Sequence, residues 1–85
     1  MTTDLPKNEL ANLIEVIAKR LVDLSDQVSV QEVVGENTTV IQLTVAKTDI
    51  GKIIGKEGKT ANAIRTILMG ASTKLKRRTV LEIME

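Results

Sequence analysis

The chain has 85 residues, 42% of them hydrophobic, and carries twelve Lys and Arg against eleven Asp and Glu, with no Cys, His, Phe, Tyr or Trp. That length fits one domain whose apolar core is only just large enough, and the missing ligands exclude disulfides, thiolate catalysis and zinc sites of the usual kinds. The N-terminus lacks a signal peptide's basic start and apolar run, and no apolar stretch approaches the roughly 18 residues of a membrane span, so a cytoplasmic protein is expected.

Leu10, Leu13, Ile14, Ile17, Leu21 and Leu24 recur at spacings of three and four, which predicts a helix over 8–24. Asp4 or Asn8 serves as its cap, Pro6 falls before it or in its first turn, and Ser25-Asp26 ends it. Two strands follow, the valine-rich 27–34 and the alternating 38–46, where Ile41, Leu43 and Val45 share one face. Gly35-Glu36-Asn37 between them has hairpin length and chemistry, so the strands pair antiparallel. A short helix spans about 48–54, capped by Thr48 or Asp49, with Ile50, Ile53 and Ile54 inward. After a glycine turn, Ala61, Ile64, Ile67, Leu68, Ala71 and Leu75 mark a helix over 59–74. Gly70 inside it costs roughly 1 kcal/mol relative to alanine; it either permits close packing on the sheet or marks an early helix end. Residues 79–84 read as a third strand, joined to the second by a crossover long enough to make that pair parallel.

The expected fold is therefore α+β, in the order α-β-β-α-α-β, with a three-stranded mixed sheet and three helices on one face. It forms one domain over 1–85 with an ordered core of about 8–84.

Charge is distributed unevenly. Residues 1–46 hold three basic side chains against seven acidic ones, a balance of −4, whereas residues 47–78 hold nine against two, a balance of +7. The positive half contains Ile53-Ile54-Gly55-Lys56-Glu57-Gly58-Lys59. Two glycines three apart let the chain turn tightly and let an outside group approach the backbone. A helix starting just after them offers unpaired N–H groups and a positive dipole end, which suit a phosphate. Nucleotide-binding loops fit poorly: a Walker A sequence ending at Gly58-Lys59-Thr60 would need glycine where Ile53 stands, and Gly51, Gly55 and Gly58 lack the dinucleotide-binding spacing. Alone, a Gly-x-x-Gly is a weak signal, and a plain connector between helices is then the better reading.

An Ile-Ile-Gly-x-x-Gly between two helices, after α-β-β and before a last strand, resembles the KH domain, and the element order resembles its type II form. The resemblance covers about residues 8–84, and for a lone small module it is most similar to the bacterial KhpA family. It implies a non-catalytic single-stranded RNA-binding protein and RNA chaperone. The implied partner is a KhpB-like KH protein, in post-transcriptional regulation tied to cell-envelope homeostasis, cell-wall biogenesis and cell-length control. Carried over, the loop Gly55, Lys56, Glu57 and Gly58 clamps the backbone of about four nucleotides. Lys52 and Lys59 reach phosphates, Ile50, Ile53, Ile54 and Ile64 are candidates for an aliphatic groove floor or for core, and Arg65 either contacts the strand or is a solvated helix residue. No cofactor or metal is implied.

Glu57 repels phosphate. Stacking on aromatic side chains, worth about 1–3 kcal/mol per base, is unavailable. Weak, broadly specific binding by the lone domain is expected, raised by a homodimer or a heterodimer that brings a second module close. The valine-rich strand and the acidic first helix are candidate contact surfaces. The rival reading is a KH-like protein-interaction adaptor with little RNA binding, which Glu57 and the acidic first half favour.

Overall fold

A computed structural model describes residues 9–75, apart from the side chain of Leu75, and residues 78–84. Within them the elements run α1 (Glu9–Leu21), β1 (Ser29–Val34), β2 (Thr38–Thr44), α2 (Ile50–Ile54), α3 (Lys59–Leu75) and β3 (Arg78–Met84). This is the expected α+β order, with boundaries displaced by one to three residues at several ends. Asp4, Pro6 and Asn8, proposed at the start of α1, lie outside the described residues, as do Lys76 and Arg77.

The sheet has the order β1-β2-β3. β1 and β2 are antiparallel, with Ser29 opposite Thr44 and Val34 opposite Thr39, and the Gly35 N–H donates to the Thr38 carbonyl at 2.7 Å to close the hairpin. β2 and β3 are parallel, from Thr38 beside Arg78 to Thr44 beside Met84. The central strand alternates as its sequence requires: Ile41, Leu43 and Val45 are buried beneath the helices. They meet Ile14 and Ala18 from α1, Val22 just after it, Ile53 from α2, Ile64 and Leu68 from α3, and Leu81 from β3.

Two helix readings need correction. In α1 the buried stripe is Ile14, Ala18 and Val22, while Leu13, Leu21 and Leu24 are 38–45% exposed. The helix stops at Leu21, three residues before the expected end, because the next backbone N–H groups find another acceptor: those of Asp23 and Leu24 donate to the Asp49 carboxylate at 3.3 and 3.0 Å. Asp49 stands at the N-cap position of α2, as proposed for it or Thr48, but its carboxylate makes no side-chain cap bond there. In α3, Ile67 is 52% exposed and stands outside the core that Ala61, Ile64 and Leu68 join. The helix continues through Gly70, and a Cβ built there would meet nothing within 4 Å, so neither close packing nor a helix end accounts for that glycine.

Candidate nucleic-acid interface

α2 ends where Gly55 takes up φ 79° and ψ 172°, its N–H still bonded to the Gly51 carbonyl at 2.8 Å. A single tight turn over Lys56–Gly58 follows, closed by the Gly58 N–H on the Gly55 carbonyl at 3.1 Å, and α3 starts at Lys59. Gly55, Glu57 and Gly58 all have positive φ. The two glycines are not equivalent. A Cβ on Gly55 would overlap the Thr60 hydroxyl and lie 2.8 Å from the Thr60 backbone N, whereas at Gly58 the nearest neighbour would be the Asn62 amide at 3.8 Å. Gly55 is needed for both conformation and space, Gly58 for conformation alone.

The predicted site residues separate into three groups. Lys56 and Lys59 are exposed at the loop, and among the described residues neither forms an ion pair. Arg65 is exposed two turns into α3, and Ile54 is 37% exposed beside the loop. These residues and the loop come together. Ile53 does not join them: it is fully buried in the core, as Ile64 nearly is, so neither offers a groove surface. Lys52 is committed elsewhere. Its ammonium lies 3.3 Å from Asp23 and 3.4 Å from Asp49, so its charge ties α2 to the chain following α1. Hydrogen bonding to Asp23, then the attraction of that carboxylate, raises the Lys52 pKa above the ordinary lysine value. Asp49 is 1% exposed, and the Leu24 N–H, ahead of those of Asp23 and Lys52, lowers its pKa despite the opposing cost of burial.

Beside the loop, α3 and β3 enclose an open cleft of about 380 Å³ lined by Ile54, Gly58, Ala61, Asn62 and Arg65 on one side and Leu81, Glu82 and Ile83 on the other. β3 is an edge strand, so along its outer side the backbone N–H and C=O groups have no strand partner among the described residues. Glu82 accepts a hydrogen bond from the Gln42 amide at 3.0 Å. The walls thus differ: cations and the glycine loop on the helix side, a carboxylate and strand backbone on the other. Asn62 and the β3 residues are the part that sequence reasoning missed. Asn62 lies four residues past Gly58 on α3, whereas the β3 residues reach the loop only through the parallel pairing of β3 with β2.

A glycine turn between two short-linked helices, seated against a mixed three-stranded sheet in this order, defines a type II KH domain. A family profile described as KhpA/KhpB, KH domain, matches residues 11–83. The proteins named RNA-binding protein KhpA from Clostridium acetobutylicum and Aquifex aeolicus are each 49% identical to this chain, over 87% and 89% of it and over 99% and 96% of their own length. The chain belongs to the KhpA/KhpB KH-domain family. Its fold is also similar to part of Era: a variant from Aquifex aeolicus bound to GDP.AlF4- gives a TM-score of 0.64 at 25% identity over 98% of this chain and 32% of that one. Era in complex with MgGDPNP and nucleotides 1506–1542 of 16S ribosomal RNA gives 0.62 at 26% identity, again over 32% of its length.

Proposed function

We propose that this chain is a non-catalytic single-stranded RNA-binding module. The observation that carries the reading is the loop Gly55–Gly58, whose backbone is bare of side-chain bulk at two of four positions, which carries Lys56, is followed by Lys59, and lies at the mouth of the α3/β3 cleft. The strand's phosphates follow the loop and the helix side, where the N-terminus of α3, Lys59 and Arg65 attract them. The bases turn toward β3, whose Glu82 carboxylate repels phosphate, and meet Ile54 and the unpaired strand edge. Relatives named as RNA-binding proteins support this reading.

By family resemblance the cellular role is that of a cytoplasmic RNA chaperone, acting as a homodimer or with a KhpB-like partner in regulation bearing on the cell envelope and cell length. No helix among the described residues is long and apolar enough to cross a membrane.

The test is titration of short single-stranded RNA against the natural chain and Lys56→Asp. That position is exposed and spares the glycines, whereas Gly55→Asp would overlap Thr60 and confuse lost binding with lost folding. With about three phosphates neutralised, log K falls against log salt with a slope near −2, and the charge reversal weakens binding at least about tenfold at low salt. Equal binding by both proteins would end the clamp at this loop, and no binding by the natural chain would leave the adaptor reading in its place.

A further inference from the structure

β1 forms the edge of the sheet opposite β3, and among the described residues no strand pairs with its outer side. The hairpin bond fixes which groups point there. Because the Gly35 N–H donates to the Thr38 carbonyl, the unbroken register directs the main-chain groups of Ser29, Gln31 and Val33 to β2 and turns those of Val30, Glu32 and Val34 outward. Each of these three residues offers one donor and one acceptor. The strand carries no bulge, proline or lysine, the usual devices that blunt an edge. Their side chains stand on the helix-covered face, opposite Leu43, Ile41 and Thr39. Val30 packs at the margin of the core, Val34 is 60% exposed, and Glu32 between them forms no ion pair among the described residues. The edge thus presents a valine, a carboxylate and a valine at every second residue.

We propose that β1 is a docking edge for an extended segment of another protein, which adds antiparallel to it and carries a lysine or arginine between two apolar residues at every second position. Main-chain hydrogen bonds hold the segment. Its apolar side chains meet Val30 and Val34, and its cation faces Glu32. Charge argues against two other occupants. RNA is disfavoured because the edge belongs to the acidic half of the chain, with Asp26 and Glu36 on either side of β1 in sequence. A second copy of this chain, aligned to use all three outward residues, sets Glu32 directly against its own counterpart, and like charges so opposed destabilise a strand pair. Centring the pair on Gln31 or Val33 relieves that clash but leaves Val34 or Val30 facing a residue outside the strand. One central carboxylate therefore selects a partner of opposite charge. The site lies across the sheet from the α3/β3 cleft, so it is independent of the RNA-binding reading, and both edges can be occupied at once.

The test uses two short peptides, capped at both ends: Thr-Val-Thr-Lys-Thr-Val-Thr, and the same peptide with Glu in place of Lys. Amide exchange in the natural chain is followed by nuclear magnetic resonance. With the lysine peptide, exchange slows at the amides of Val30, Glu32 and Val34 and is unchanged at those of Gln31 and Val33, which β2 already holds. At low salt the lysine peptide binds at least about threefold more tightly than the glutamate peptide. Glu32→Lys inverts that order, which a variant that had merely lost its fold could not do. Equal binding of the two peptides overturns the proposal, as does the absence of any effect at the three outward amides at millimolar peptide. Protection of those amides without peptide, rising with protein concentration, overturns it in favour of a second copy. Protection by a single-stranded oligouridylate overturns it in favour of RNA.

Discussion

Glu57 holds φ 57° and ψ 26°, a left-handed conformation in which a Cβ crowds the following carbonyl at a cost of about 1–2 kcal/mol. It is exposed, and its carboxylate stands in the loop that we assign to phosphate. Glycine would lose both penalties at once. Glu57→Gly is expected to bind single-stranded RNA several-fold more tightly at low salt, the gain shrinking as salt rises, because removing a like charge near a phosphate is worth on the order of 1 kcal/mol in water. Its urea midpoint should be equal to or above that of the natural chain, since relief of the left-handed strain offsets the greater freedom of glycine when unfolded. Tighter binding with a steeper fall in log K against log salt would fit this account; no change in affinity would remove Glu57 from the interface.

Among the elements, α3 carries an unforced cost. Gly70 lies in the helix interior, exposed, with open space where a Cβ would project. Gly70→Ala is therefore expected to raise unfolding stability by about 0.5–1 kcal/mol, read as a higher urea midpoint at constant m-value. The same helix indicates what was legible beforehand. Ala61, Ile64 and Leu68 lie at the periodicity that buries them, and the alternation of Ile41, Leu43 and Val45 set the face of β2 correctly. The element order needed only turn chemistry and crossover length. What periodicity could not give was the rotation of each stripe at its margin: Ile67 in α3 and Leu13, Leu21 and Leu24 in α1 have the right residue type at positions the neighbouring elements leave uncovered. At the interface, the glycine loop was legible because its spacing is local. Burial of Ile53 agrees with the inward side read for α2, whereas the exposure of Ile54 does not. Capture of Lys52 was not legible, because it depends on a partner far along the chain, with 29 residues separating Asp23 from Lys52.

At the scale of the whole molecule, the acidic first half and the basic second half meet at one buried carboxylate. Asp49 takes the N–H groups that end α1 and, with Asp23, holds the Lys52 ammonium on α2, the helix that leads into the glycine loop. The junction partly neutralises Lys52, which concentrates positive charge on the loop side. It also makes folding depend on ionisation. Because the Asp49 pKa is lowered on folding, chiefly by the Leu24 N–H, its contribution is present above the unfolded carboxylate value, about 3.9, and is lost as pH falls through the lower folded value. Lys52 has the opposite sign: its pKa is raised, so its contribution is present below the unfolded value, about 10.4, and is lost as pH climbs through the folded one. Asp49→Asn keeps the shape but places an amide that cannot satisfy both backbone donors and attracts Lys52 less. Its stability at pH 7 should fall below that of the natural chain, and the difference should narrow steadily between pH 5 and pH 2 as the natural carboxylate takes up its proton. Urea midpoints by far-ultraviolet circular dichroism suit a chain lacking Trp and Tyr. Parallel pH profiles for the two proteins would mean that this carboxylate does not couple the halves, and that the early end of α1 has another cause.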